Sequence, residues 1–383
     1  MKKEDKRVIQ LLQKIVRYNS ENPPGNEWEL AKFIEHDLRS LGLEVKIYTY
    51  AKARPNIVAT LKGILPRQQA KSGALLLTPH FDTVPIGKGW KQDPLGGKII
   101  GNKIYGRGTS DDKVNVAVAM EVMRRLVEKR VRLKKDVIMA ATVDEETGSQ
   151  YGIIPLLEKG ILKPKAALIL DANEFDATVA QKGLFHTRIQ IFGKQAHGAY
   201  NWRGVNAIEI AARVIEKIKK HQFTFKRHPL LRPPTMNIGT IHGGDKVNMV
   251  AGFCEFSLDN RFMPGMTGAE VLKVIKKIIR SETKRFQVII SDSQKPYEIS
   301  AEHPFVKTYL ATAKRMKIKS TLCGSEGATV MTFFQEFKIP AFATGFGAHG
   351  TAHTVDEYAK VDLLVKGAQF LERVVRDFDE VGS

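Results

Sequence analysis

Apolar positions along this 383-residue chain follow two rules in turn. In the first part and again near the end they gather in short unbroken runs: Leu75-Leu76-Leu77, Val137 to Val143, Leu168-Ile169-Leu170 and Ala341 to Thr344. Runs of this length read as strands buried on both faces. A helix is expected from about Lys113 to Lys129, between the first two runs. Strands alternating with helices predict an α/β domain with a mostly parallel sheet.

From about Gly183 to about Asp292 the rule changes. Phe185 to Phe192 alternates as a strand with one buried face. Asn206 to Lys220 spaces Ile208, Ala211, Ala212, Ile215 and Ile218 at helical intervals. Two strands, Thr235 to Ile241 and Asn248 to Phe262, flank a Gly243-Gly244-Asp245 turn. A second helix spans Gly268 to Ser281, and Arg285 to Ile290 closes the unit as a strand. The order β-α-β-β-α-β is that of a ferredoxin-like split motif. The pattern thus predicts one α/β domain of residues 1–182 and 294–383, interrupted by an inserted α+β domain of residues 183–293.

Chemistry collects where the apolar runs end. The first run leads to His80 and Asp82, two residues apart and so on one side of an extended chain. Asp82 can then accept a ring N–H of His80 and leave the other nitrogen for a metal. The second run leads to Asp144-Glu145-Glu146, the third to Asp171, and the fourth through Gly345-Phe346-Gly347 to His349 and His353. A glycine-punctuated loop, Gly106 to Asp112, opens the Lys113 helix. Singly, each has a plain explanation: a helix-terminal charge pair, a cap, a surface loop. Together they occupy the carboxyl edge of a parallel sheet, where ligands of such sheets gather. Histidines and carboxylates without thiolate suit zinc, with cobalt or manganese tolerated.

In order and spacing these residues resemble the co-catalytic di-zinc peptidases and deacylases, which include acetylornithine deacetylase, succinyl-diaminopimelate desuccinylase, aminoacylase and carboxypeptidase G. The likeness covers nearly the whole chain. It rests on His80-Phe81-Asp82-Thr83-Val84-Pro85, Tyr105-Gly106-Arg107-Gly108 through Asp111-Asp112-Lys113, and Asp144-Glu145-Glu146-Thr147-Gly148. It continues in Gly193-Lys194-Gln195-Ala196-His197-Gly198 and in Ala352-His353-Thr354 through Glu357-Tyr358. The resemblance implies two zinc ions per subunit, His80 and Asp171 holding one, Glu146 and His353 the other, with Asp111 as the bridge. It makes Asp82 the residue that orients His80, Glu145 the general base, and Asp112 a residue behind the ligands or facing solvent. His349 falls outside its ligand pattern.

The same resemblance makes the inserted domain a lid that forms a homodimer, with His197 reaching the partner's active site. Asn248 and Arg261 would contact a substrate carboxylate, although Arg261 could instead pair with Asp259. The implied reaction is hydrolysis of an amide in an N-acyl amino acid; a dipeptidase or carboxypeptidase would use the same site. Gly324-Ser325-Glu326-Gly327-Ala328-Thr329 lacks the arginine of the desuccinylases and is closer to the acetylornithine deacetylase type. Phe346 and Val114 stand where the family usually has proline and glycine.

Net charge is +19, from 60 Lys and Arg against 41 Asp and Glu. Of these, 18 basic and 8 acidic residues fall between 183 and 294, so the inserted segment is strongly basic. A nucleic-acid-binding protein with a vestigial site would explain the charge. Against it, the basic helices carry no aromatic stacking pattern and every ligand position is filled. Attraction of anionic substrates, or simple solubility, would account for the charge without nucleic acid. Two cysteines, Cys254 and Cys323, exclude a disulfide framework. The first residues are charged with no signal-type apolar core, and no run approaches a membrane span, so a cytoplasmic enzyme without a membrane partner is expected.

Overall fold

The computed structural model describes residues 2–380, which form two compact units. The first runs to Val179 and resumes over Ile299–Cys323 and from Phe333; the second is Ala180–Glu298 with Gly324–Thr332. Sequence pattern alone assigned 324–332 to the first unit. Two side chains account for its place in the second. Gln181 accepts from the backbone N–H and the hydroxyl of Thr329 at 3.0 and 2.9 Å, and Lys182 pairs with Glu326 at 2.5 Å.

In the first unit six strands lie side by side in the order Glu44–Ala51, Arg54–Leu61, Val137–Ala141, Leu75–Thr78, Ala166–Glu174 and Ala341–Gly345. The last four are mutually parallel and contain the four apolar runs; the first two add antiparallel at one edge. Every residue of Leu75–Thr78 and of Ala341–Gly345 is buried, which is why alternation is absent there. From Leu75–Thr78 the chain passes through the helix Lys113–Glu128 to Val137–Ala141 on one side. It then returns by way of Ile153–Glu158 to Ala166–Glu174 on the other. Leu75–Thr78 is therefore the point where strand order reverses, and a crevice opens beyond its carboxyl end.

The helix Lys113–Glu128 is buried along nearly its whole length, and Lys3–Val16 and Val361–Glu380 pack against it. A small antiparallel sheet of Lys98–Ile100, Lys103–Tyr105 and Tyr358–Lys360 lies in the same unit. Among the described residues no helix is long and apolar enough to cross a membrane.

The second unit is a four-stranded antiparallel sheet in the order Thr235–Gly243, Phe253–Phe262, Gly183–Phe192, Phe286–Gln294. Its two helices, Ala207–Lys220 and Gly268–Arg280, bury Val214 and Ile275 against Ile189 and Phe256. Each helix has a defined start. Asn206 accepts from the backbone of Ile208 and Glu209, and Thr267 with Glu270 forms a capping box. The third strand begins at Phe253 rather than Asn248. Val250 N–H donates to the Ala196 carbonyl, and the Ala251 and Gly252 carbonyls accept from Ala207 and Gly193, so this stretch bonds to the approach to the first helix instead of the sheet.

Phe342, fully buried, has its ring 4.8 Å from Phe305 and 5.1 Å from Tyr309. Phe342→Ala is expected to destabilise the first unit by about 3–5 kcal/mol, read from urea unfolding. A loss below about 1 kcal/mol would mean that this junction is not a packed core.

Candidate metal centre

His80 follows Leu75–Thr78 by two residues and is 1% exposed. Its backbone N–H donates to Asp112 Oδ2 at 3.0 Å. Nδ1 lies 3.1 Å from the Asp82 carbonyl oxygen and 3.4 Å from Asp82 Oδ1, so both acceptors of one residue face it. Nε2 is left facing Asp111 Oδ1 at 3.0 Å. The rest of the Asp82 carboxylate does a second task. It accepts from the backbone N–H groups of Glu145 and Glu146, each at 3.2 Å, and from Asn22 Nδ2 at 2.9 Å. Asp82 thus fixes His80 and the Glu145–Glu146 turn together.

That turn is shaped by Asp144, which sits in the left-handed region at φ 67°. Its carboxylate accepts from Tyr151 N–H at 2.9 Å and pairs with buried Arg54 at 2.9 Å, and Arg54 pairs with Glu27 at 2.7 Å. The loop that bears Asp111 is held from another part of the chain. Glu357, fully buried, accepts from Arg107 Nη1 at 2.7 Å and from the backbone N–H groups of Gly108, Ser110 and Asp111 at 3.2, 2.6 and 3.1 Å. Four residues before Glu357 stands His353, itself at φ 62°. One buried carboxylate therefore ties the Asp111 loop to the segment that carries His353.

Two groups of donor atoms result. Those of His80, Glu145 and Asp171 lie within 4.8 Å of one another, and so do those of Asp111, Glu146 and His353. Asp111 faces both groups: Oδ1 is 3.0 Å from His80 Nε2, and Oδ2 is 3.1 Å from His353 Nε2. His353 Nε2 is also 3.2 Å from Glu146 Oε1. The five residues the resemblance names as metal ligands are brought together here, with Glu145 among them.

Electrostatics marks the same place. Burial, then the proximity of Asp111, pushes the Asp171 carboxyl up to about 7. Burial, then Asp171, pushes Glu145 well above the usual carboxylate range. Hydrogen bonds to Asp111 and Glu146 raise His353 to about 10. Burial alone would lower His80, yet Asp111 and Asp82 carry it well above 6.5. The cluster is short of positive charge, and divalent cations on nitrogen and oxygen donors would supply it. The donor set fits a dinuclear centre.

Asp112 is fully buried, accepts from His80 N–H and from Asn115, and is raised well above the usual range by burial, so it stands behind the ligands and not in solvent. His349 N–H donates to Glu174, and with Asp111 and Asp171 it lines a cavity of about 130 Å³. His197, Asn248 and Arg261 belong to the second unit. His197 is exposed, its Nδ1 accepting from Ala199 N–H, while the exposed Asn248 accepts through its carbonyl from Gly198 N–H. Arg261 closes its guanidinium on Asp259 at 2.8 and 3.3 Å, the alternative left open from sequence. The supporting roles of Glu357, Asn22 and Arg54 were not foreseen. Nothing in the local pattern marks an asparagine sixty residues from Asp82 as its partner.

A parallel sheet with two groups of nitrogen and oxygen donors beyond its carboxyl ends is a candidate dinuclear metal site. Residues 76–377 match the model of peptidase family M20/M25/M40. An acetylornithine deacetylase of Erwinia tasmaniensis is 29% identical over 354 residues, covering 89% of this chain and 88% of that protein. An aminopeptidase PepT structure from Bacillus cereus superposes with a TM-score of 0.82 at 23% identity, covering 98% of each chain. A dinuclear metal binding peptidase from Bacillus subtilis gives 0.73 at 16%, covering 97% of each. The chain belongs to peptidase family M20/M25/M40.

A group whose folded pKa lies above its unfolded value stabilises the fold at low pH and loses that contribution as the pH rises towards the folded value. For Asp171 the loss runs from 3.8 to about 7, and for His353 from 6.5 to about 10. The opposite shift of Asp111 is complete above 3.8 and adds no slope there. Above pH 7 the lowered pKa of buried Lys113, about 7, offsets the loss from His353, so chelated protein is expected to lose thermal stability between roughly pH 5.5 and 7, and metal-loaded protein to lose less. A melting temperature that climbs over this range without metal would contradict the account. Separately, Glu357→Gln should lower metal affinity by about 10–100-fold in a calorimetric titration while the fold persists. Unchanged affinity would remove Glu357 from the site's support.

Proposed function

We propose that this chain is a di-zinc deacylase that removes the acyl group from an N-acyl amino acid, in the manner of acetylornithine deacetylase. The observation that carries the reading is Asp111, whose two oxygens each face a different imidazole. In this reading His80 and Asp171 would hold one ion and Glu146 and His353 the other, with Asp111 facing both groups. Bound there, two divalent cations would polarise the amide carbonyl and lower the pKa of a water towards ~7.

Glu145 takes the proton of the attacking water and returns it to the leaving amine. Burial and Asp171 raise the basicity of its carboxylate, which suits it to accept a proton and then return it. Asp82 keeps the His80 ring and the Glu145 backbone in register, so base and ligand do not move independently. The acyl amino acid is preferred to a peptide on two grounds: the deacetylase relatives match about nine-tenths of the chain, and Ser325-Glu326 follows their type.

The reading extends to a homodimer formed through the second unit, in which His197 serves the partner's site. With Nδ1 accepting from Ala199 N–H, neutral His197 carries its proton on Nε2, the form that donates to a developing oxyanion. Asn248 and Arg261 would meet the substrate carboxylate, which requires Arg261 to share its guanidinium between Asp259 and the ligand.

Primary-amine release is the direct assay, across N-acetyl and N-succinyl amino acids and dipeptides, with zinc or cobalt and a chelated control. Chelator-sensitive turnover of acyl amino acids is expected; turnover of dipeptides alone would make the chain a peptidase instead. Glu145→Ala should keep its metal and lose activity by a factor of at least about 10²; loss of metal in that variant would overturn the role given to Glu145. Mixing Glu145→Ala with His197→Ala protomers should restore some activity after subunit exchange, and no recovery would count against a shared site.

A further inference from the structure

The strands Val137–Ala141, Ala166–Glu174 and Ala341–Gly345 run parallel, so their starts lie at the edge of the sheet opposite the carboxylate cluster. From Ala166 to Asp171 is five residues, roughly 16 Å of extended chain. At the starting edge the first unit contains a cavity of about 730 Å³, lined by Lys135, Lys163, Lys165 and Ala166 on the approaches to two of the strands and by Lys338 to Pro340 on the approach to the third. Small-molecule sites commonly span roughly 300–1,000 Å³.

The lining has two characters. Leu162, Phe305 and Ile339 are buried apolar groups, whereas Phe337 also lines the cavity and is 40% exposed. Against this surface stand the exposed lysines Lys163, Lys165 and Lys338, and none of the three forms an ion pair with a described residue. Among the described residues no aspartate or glutamate lines the cavity. Lys135 adds a fourth ammonium, 5.4 Å from the ring of Phe378. The wall also offers a directed donor. His303 Nδ1 accepts from Phe305 N–H at 3.2 Å, so the neutral ring carries its proton on Nε2. Burial and then Lys165 hold His303 below its usual pKa, in keeping with that neutral form.

Lys163, Lys165 and Lys338, without an ion-pair partner among the described residues and set around an apolar surface, favour one kind of occupant. A neutral hydrocarbon leaves the ammonium groups without a partner, and an inorganic anion leaves the apolar wall uncovered. A cation is repelled. We propose that this cavity is a second ligand site, distinct from the site of hydrolysis, for a small organic anion that carries an ionised acidic group on an aliphatic or aromatic body.

The test uses 8-anilinonaphthalene-1-sulfonate, whose sulfonate and rings match that description, titrated by fluorescence into the metal-loaded full chain. Octanoate is expected to displace the probe, whereas octylammonium, octanol and inorganic phosphate at equal concentrations are not. In Lys165→Glu/Lys338→Glu the probe's dissociation constant should rise at least tenfold, with the thermal midpoint and the rate of amide hydrolysis unchanged. Phe337→Ser should weaken octanoate several-fold while leaving the fold intact, which separates the apolar contribution from the charge. Equal probe affinity in the double variant and the unaltered chain would overturn the proposal. So would displacement by octylammonium as strong as by octanoate, or displacement by phosphate alone.

Discussion

Four carboxyl groups, those of Asp111, Glu145, Glu146 and Asp171, meet at the carboxyl edge of a parallel sheet, and they cannot all carry charge there without cations beside them. The rest of the first unit can be understood as the scaffold that enforces this crowding. Burial and mutual repulsion favour the protonated forms of Glu145 and Asp171, and the neighbouring carboxylates favour the charged forms of His80 and His353. A pair of divalent ions would replace those protons. The adjacent residues Glu145 and Glu146 fall in different donor groups, Glu145 with His80 and Asp171, Glu146 with Asp111 and His353.

What holds the ligands is a layer of further buried carboxylates, each accepting from the backbone of a loop distant in sequence. Asp82 takes the N–H groups of the Glu145 turn, Asp112 that of His80, and Glu357 three successive groups around Asp111. For Asp82, whose charged form is favoured by His80 and Asn22, each hydrogen bond to it contributes about 1.5–3 kcal/mol, more than a neutral one. The loops are in this way fixed beside a sheet that includes the wholly buried strands Leu75–Thr78 and Ala341–Gly345. Arg107 and Arg54 place positive charge beside the buried carboxyl groups of Glu357 and Asp144.

Much of this was legible in the sequence, and for physical reasons. Strands buried on both faces leave unbroken apolar runs, so Leu75 to Leu77 and Ala341 to Thr344 declare themselves, and ligands of a parallel sheet follow such runs directly. The amphipathic helices of the second unit show their period because one face meets a core and the other meets solvent. Less legible were features set by distant partners. Asn248 to Gly252 is as apolar and glycine-rich as a strand, but its carbonyls serve the approach to a helix. Residues 324–332 join the second unit through Gln181 and Lys182, a preference that local pattern does not encode. The burial of Asp112 and the grip of Glu357 on Asp111 likewise depend on a chain reversal that brings residues some 250 positions apart into contact.

The most direct measurement is the number of zinc ions bound per chain, by elemental analysis after equilibrium dialysis, in the unaltered protein and in Asp111→Asn. If Asp111 is shared between two ions, the unaltered protein retains two equivalents, and the variant loses at least one and, with it, turnover. A single equivalent in the unaltered protein, or two retained by Asp111→Asn at undiminished affinity, would contradict a dinuclear centre built on that carboxylate.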